Sequence, residues 1–445
     1  MSRPTTPAPG PGPGPVPVPP ARPVRAGEPP VITAAAVLHP RARTLRELDL
    51  ALRAGTPLLS GPPPPREGEP GHPEVPGAWL TDFDLPSWAD RHLPDAHERE
   101  LLTRTAARAG LPVRSACCAA LGALARARTT PAERAGTAVV VAGNNHALAH
   151  QSRAVLDYAR TGRARAGHLL DCFDSDVLGA LGQVTGCTRE GWMTGGTSAA
   201  GALALIHAAR LIGDGHVPAC LVVAPAGELS PVEIAAFVRA GAMARGDAEV
   251  ATTRCRPFDR ARSGFAPAQI AAAVLLESAS RAAGRGARPL GRLLGYGMVM
   301  DGRRGTGPDP AGQAEAMRRA LAHAGLRGVD YVNAHATGSV AGDASEAAAL
   351  RAVFPRAGPW INSTKGILGH GLAAAGLVET IATLLQLAGG YHHVNPNLDD
   401  PLDPDLRLTR ERVSARSRTA LSNSFAFGGI NTSLVLAHPR EGDPP

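Results

Sequence analysis

Residues 191–215, GWMTGGTSAAGALALIHAARLIGDG, decide how this chain is read: a strand, a tight glycine turn and a buried helix in unbroken succession. Ser198 falls where the strand stops and the helix starts. Its side chain would sit at the positive end of the helix dipole, among backbone N–H groups that have no intrahelical partner. Such groups can hold a developing oxyanion, and the preceding glycines allow a ligand close approach. A serine at a helix start is also the commonest kind of N-cap, so the turn alone leaves a purely structural role open.

Outward from this turn, strands and helices alternate in both directions. Upstream lie a first strand in PPVITAAAVLHP (29–40), a glycine-stopped helix in TLRELDLALRAG (44–55), helices in residues 98–110 and 115–127, and a buried strand in GTAVVVAGNN (136–145). Downstream, PACLVVAPAGE (218–228) is another buried strand. A second series follows from AQIAAAVLLES (268–278) through GRLLGYGMVM (291–300), VDYVNAHATGS (329–339) and GLAAAGLVETIATLLQLAGG (371–390) to NTSLVLAH (431–438). Continuous apolar strand runs between helices predict an α/β fold with a mostly parallel sheet covered on both faces. Two such series predict an internal duplication: one half over 30–264, a second over 265–437, a disordered Pro-rich tail at 1–29 and a flexible tail at 438–445.

Composition narrows the function. The chain has 445 residues and a formal charge of +7, but its bases are scattered arginines and only 4% of residues are aromatic. That excludes a nucleic-acid tract, which needs clustered cations with stacking rings, and leaves a modestly basic surface suited to an acidic protein partner. Six cysteines without a CxxC pair predict a reduced, cytoplasmic protein with no disulfide framework and no metal site. No apolar run is read as reaching the ~18 residues of a membrane span. Lys365 is the single lysine. A site that keeps lysine where arginine serves everywhere else points to a need for a compact ammonium, which a planar guanidinium cannot imitate.

Three later segments carry chemistry. VNAHATGSVAGDASE (332–346) puts His335 at a strand end, ahead of Asp343 and Glu346; NSTKGILGHGLAAAG (362–376) puts Lys365 and His370 at the start of a Gly/Ala helix; SNSFAFGGINTSLVL (422–436) is a glycine turn leading into a buried strand. Together with TGGTSAAG they resemble the motifs of the condensing enzymes of the β-ketoacyl-acyl carrier protein synthase family, built on the thiolase fold, over about residues 30 to 437. The resemblance implies two duplicated βαβ-type halves forming a five-layered αβαβα core. It assigns His335 and His370 to decarboxylation and enolate stabilisation, and Lys365 to the second histidine's helix and electrostatics. Thr337 and Ser339 would bond a phosphopantetheine arm, Phe427 would gate the acyl pocket, and the N–H groups of Ser198 and Phe427 would form an oxyanion hole. No bound cofactor is implied, only the phosphopantetheine arm of a carrier protein or coenzyme A as substrate carrier. The implied partners are an acidic acyl carrier protein and a second copy, or a related subunit, paired through the strand before Ser198.

The resemblance has departures. The family places a cysteine where Ser198 stands, the GDGAG-type run expected after RPFDRARSGF (256–265) is APAQIAA here, and the HGTGT motif is HATGS. Both latter changes put side chains into turns that are normally glycine, so a different local backbone is expected. Cys117 and Cys118 in SACCAALGA look superficially like the missing nucleophile but fit a helix core. A serine hydroxyl needs a general base, which a thiolate does not, and His335 and His370 are the candidates. The first expectation is therefore an acyltransferase of polyketide, fatty-acid or other secondary metabolism working through acyl-Ser198. Behind it stand a decarboxylative synthase using serine, a non-catalytic chain-length-factor-like partner subunit, and an α/β-hydrolase esterase with Ser198, Asp343 and His370 as triad.

Overall fold

The computed structural model describes residues 28–63, 73–355 and 358–439. Of the expected tails, residues 1–27 and 440–445 lie outside the described residues. Ten strands form one continuous sheet: β1 (Val31–Leu38), β2 (Ala138–Ala142), β3 (Gly191–Thr194), β4 (Ala219–Ala224), β5 (Ala271–Glu277), β6 (Gly291–Met300), β7 (Tyr331–Asn333), β8 (Trp360–Asn362), and, after a short ribbon of β9 (Tyr391–His392) and β10 (Val413–Ser414), β11 (Thr419–Ala426) and β12 (Ile430–Ala437). Their order is β3-β2-β4-β5-β1-β6-β12-β11-β7-β8.

Read from either edge, that order is the same. In the first half the strands run third, second, fourth, fifth, first in chain order; in the second half β8, β7, β11, β12 and β6 repeat it. The pairings repeat as well. β2 is parallel to β3 and β4, and β7 to β8 and β11, whereas β5 and β12 run antiparallel to both neighbours. Only two residue pairs, Val31 with Arg292 and Ile32 with Gly291, join the halves across β1 and β6. The duplication is thus a property of the topology.

Two expectations change. The sheet is mixed and not mostly parallel, because each half closes with a strand that returns antiparallel; β11 and β12 do so through the tight turn after Ala426. A division at residue 265 would also cut β5 from the half in which it pairs with β1 and β4. The topology turns over between Glu277 and Gly291.

The layers follow from side-chain character. The helices Ala200–Gly213 and Ala375–Gly389 are apolar nearly all round because they lie between the two half-sheets, in a shared core with Ile32, Val140, Val222, Val274 and Leu434. Helices Leu111–Ala127 and Ser175–Thr185 cover the outer face of the first half, and Pro310–His323 with Val340–Val353 that of the second. The result is the expected αβαβα stack. The central run Leu372–Gly389 is, by length and composition, apolar enough to cross a membrane, contrary to the sequence expectation. Its apolarity is that of a helix buried on both sides.

Duplication reaches the sequence of the central helices. Thr197-Ser198-Ala199-Ala200-Gly201 opens one and Leu372-Ala373-Ala374-Ala375-Gly376 the other, each through a single 3₁₀ turn. Thr197 and Leu372 both hold left-handed backbone, with φ of 46° and 52°. A non-glycine residue pays ~1 kcal/mol or more for that conformation, and here it lets the chain turn sharply into a buried helix.

Candidate active site

Four parallel strands end on the same side of the stack. The residues after β2, β3, β7 and β8 therefore converge there, as the carboxyl ends of parallel strands do in open α/β sheets generally. They enclose a cavity of about 390 Å³ whose lining includes Asn144, His146, Ser198, Phe237, Phe265, His335, Thr337, Ser339, His370, Phe425 and Phe427. All the residues expected from the sequence except Lys365 line it; Lys365 lies behind it.

Ser198 Oγ is 2.8 Å from Nε2 of His370. His370 is held on both sides: its backbone N–H donates to Ala266 O at 2.7 Å, and its carbonyl accepts from Ala268 N at 2.9 Å. Its other ring nitrogen, Nδ1, accepts the Leu372 backbone N–H at 3.3 Å. The ring meets Phe265 edge-on at 5.1 Å and His335 at 5.7 Å between centroids.

His335 emerges from the end of β7. Its backbone N–H and that of Ala336 donate to the two oxygens of Glu346, at 2.9 and 2.7 Å, and Asn423 Nδ2 donates to the first of these at 3.0 Å. Glu346 therefore fixes the loop that carries the histidine. Nδ1 of His335 is sealed from solvent and has no hydrogen-bond partner among the described residues, which leaves Nε2 as the nitrogen open to the cavity. Burial, first, and then the Lys365 charge hold both imidazoles well below their ordinary pKa of 6.5, so both are neutral at neutral pH.

Lys365 and Glu379 form a fully buried ion pair, Nζ to Oε1. Burial pushes the Glu379 carboxyl up to about 7, opposed by the Lys365 charge. The lysine is thus matched to one carboxylate inside the core, within electrostatic reach of both histidines. Thr337 Oγ1 donates to Ser339 Oγ at 3.0 Å. Ser339 starts the helix Val340–Val353 but makes no side-chain cap bond, so its hydroxyl faces the cavity without that duty. Phe427, at the β11–β12 turn, is 39% exposed and lies 6.3 Å from Phe237 between ring centroids.

The triad of the hydrolase alternative is contradicted. Asp343 accepts backbone N–H groups from Phe258, Thr337 and Gly338 and does not touch His370; the duplicated half-sheets are a different fold from a single eight-stranded sheet. Cys117 and Cys118 are fully buried in the outer core, and burial pushes the Cys117 thiol up to about 12, which leaves it inert. The glycine departures cost little. Apart from Gly264, no residue between 264 and 272 has positive φ; Gln269 Oε1 accepts the Leu80 N–H at 2.8 Å, and only Gly338 of the HATGS loop needs φ of +84°. The backbone there tolerates side chains because it is extended.

Sequence reasoning missed Asn144 and His146 at the end of β2, and Phe237 and Phe265 in the wall. The signal for the first pair was present in GTAVVVAGNN: polar residues directly after a buried parallel strand sit where such strands place ligands.

This cavity, shared between two repeated half-sheets with a serine at the start of one central helix and a histidine just before the other, defines a thiolase-type ketosynthase site. The family model for the beta-ketoacyl synthase N-terminal domain matches residues 28–282, and that for the C-terminal domain matches 290–399. The chain belongs to the beta-ketoacyl synthase family. It is similar to the polyketide biosynthesis malonyl-ACP decarboxylase PksF of Bacillus subtilis, 34% identical over 348 residues, covering 77% of this chain and 83% of that one. Its match to the mitochondrial 3-oxoacyl-[acyl-carrier-protein] synthase of Arabidopsis thaliana, 37% identical, covers only 54% of each. Among solved structures it resembles a beta-ketoacyl synthase from Burkholderia phymatum (TM-score 0.81, 27% identity) and the ishigamide ketosynthase/chain length factor (0.79, 26%), each covering 93% of this chain and all of the other. It is a ketosynthase-type protein of polyketide or fatty-acid synthesis.

Proposed function

We propose that the protein decarboxylates a carrier-bound malonyl thioester and releases the acetyl thioester, without acylating Ser198 and without condensation. The direction of the hydrogen bond between His370 and Ser198 carries this proposal. Nδ1 of His370 accepts the Leu372 N–H, so the one proton of the neutral ring resides on Nε2. His370 then donates to Ser198 Oγ and cannot take its proton. A hydroxyl without a general base is a poor nucleophile.

The same tautomer suits decarboxylation. Nε2–H of His370 and Nε2–H of His335 would both donate to the thioester carbonyl oxygen. As the bond to the carboxylate breaks, its electron pair moves into the enolate, whose oxygen gains charge between two fixed donors, and CO2 leaves. Lys365 helps to keep both rings neutral and hence single-proton donors. Thr337 and Ser339 would bond the phosphopantetheine arm, and an acidic carrier protein would deliver it. The malonyl-ACP decarboxylase activity of a relative similar over most of both chains supports this choice over condensation.

The 2.8 Å contact itself favours a second reading, acyl transfer through Ser198. In the opposite tautomer His370 would be the base, and the Ser198 and Phe427 N–H groups would hold the oxyanion behind the Phe427 gate. Mass spectrometry after mixing the protein with malonyl-loaded carrier protein separates the two. Acetyl carrier with unmodified protein is expected; an acyl-Ser198 peptide beside intact malonyl carrier would overturn the proposal in favour of transfer.

A further inference from the structure

We propose that Ser198 is the acid that protonates the carbon from which CO2 has left; this rests on the decarboxylase reading of the same site. An enolate that does not condense needs a proton at its α-carbon, and the cavity offers few sources. The His335 N–H is committed to the enolate oxygen, and the His370 N–H is shared between that oxygen and Ser198 Oγ. The Thr337 O–H donates to Ser339 Oγ, the Ser339 O–H is assigned to the phosphopantetheine arm, and the Glu346 and Asp343 carboxylates are filled by backbone N–H donors. Lys365 is paired with Glu379 behind the wall. Ser198 remains, with its O–H free because its oxygen accepts from His370 Nε2–H.

Position and charge agree. The enolate oxygen and Ser198 Oγ share one donor, Nε2 of His370, so both lie within hydrogen-bond distance of it. The α-carbon, two bonds from that oxygen, can come within about 3 to 4 Å of Oγ, the range of a reactive contact. In the transfer the Oγ–H bond breaks and its electron pair stays on oxygen. The new C–H bond forms with the enolate π pair, which restores the thioester carbonyl. Negative charge appears on Oγ while it faces Nε2–H and the N-terminal end of the helix Ala200–Gly213, where it is stabilised. Water entering as product leaves returns the proton to Oγ. The tautomer that makes Ser198 a poor nucleophile is the one that makes it a usable acid.

The test reads the handedness of the new methyl group. Carrier protein loaded with malonyl bearing one deuterium and one tritium at the α-carbon in a single configuration is converted in ordinary water, and the chirality of the resulting acetyl methyl is determined. Native protein should give one handedness. Ser198→Ala should be at least tenfold slower and give racemic methyl, and Ser198→Cys, which retains a proton donor, should restore one handedness. Racemic methyl from the native protein, or unchanged handedness from Ser198→Ala, overturns the assignment while leaving decarboxylation standing. Absence of any acetyl product from the native protein overturns the decarboxylase reading and this assignment together.

Discussion

Gly201 and Gly376 occupy matching positions in the two halves, and each packs on the backbone that follows the other. A Cβ on Gly201 would lie 2.6 Å from the Leu377 nitrogen, and one on Gly376 would lie 2.8 Å from the Ala202 nitrogen. The two central helices cross at this pair, and their starting turns carry Ser198 and His370. Closeness of the two backbones is what brings serine and histidine into contact.

Either glycine replaced by alanine should therefore destabilise the fold by about 1–3 kcal/mol, because the obstructing atoms are backbone and cannot swing away. Urea unfolding measures it. A loss under ~0.5 kcal/mol for Gly201→Ala would mean that the helices separate freely.

Lys365→Met should cost about 3–5 kcal/mol, since it strands Glu379 in the core. The double variant with Glu379→Leu should recover most of that stability and remain lower in activity, because the charge that adds to burial in holding both imidazoles neutral is gone. Lys365→Arg should cut activity strongly with the fold intact. Thermal melts with turnover of carrier-bound malonyl decide; full activity in the double variant would reduce the pair to packing.

Glu346→Gln places an amide N–H2 against a backbone N–H, because both carboxylate oxygens accept from the His335 loop. A loss of about 1–3 kcal/mol is expected, with turnover falling further as His335 loses its fixed loop. Unchanged kcat would show that the loop is held without it.

Burial pushes Asp343 up to about 6 and Glu346 and Glu379 up to about 7 in the folded protein. Raised carboxyl groups bind more protons folded than unfolded, so the stability they contribute is full below their unfolded pKa and lost as pH rises through about 7. The depressed histidines act with the opposite sign: the stability they contribute is lost as pH falls through about 6.5, where the unfolded chain takes up protons. The native slope near neutral pH is therefore a difference of the two, and Glu379→Gln isolates one carboxyl. The urea midpoint of the native protein relative to that of Glu379→Gln should fall as pH rises from about 5 to about 8; a relative midpoint that rises would contradict the Glu379 environment.

β3 is an edge strand, and Trp192 on it is 43% exposed. An exposed edge of this kind invites pairing, and a two-fold dimer through β3 is expected at micromolar concentration. Sedimentation should show Trp192→Arg shifting toward monomer; a monomeric native protein would remove the dimer.

Much of this was legible in the chain because its signals are local. GTSAAG announces a strand-to-helix turn and LAAAG the start of a Gly/Ala helix, both through small residues, and the lone Lys365 stands out against forty-five arginines. β8, three residues long, and β11, hidden in SNSFAF, lack the apolar run that marks a strand, so the matching order of the halves stayed out of sight. Glu379, fourteen residues from its lysine, reads as one more polar position in a long helix until the core closes around it. Least legible was the role of Ser198. Residue type named a nucleophile, whereas the proposed acid role rests on the Leu372 backbone N–H, 3.3 Å from Nδ1 of His370, a contact that residue types do not announce.

That proton is the most direct test. With nitrogen-15 in the histidine rings, and His370→Gln to assign the signal, NMR at neutral pH distinguishes protonated from bare ring nitrogens. The account predicts a proton on Nε2 of His370 and a bare Nδ1. A proton on Nδ1, with Nε2 accepting from Ser198, would contradict it and return Ser198 to the role of nucleophile.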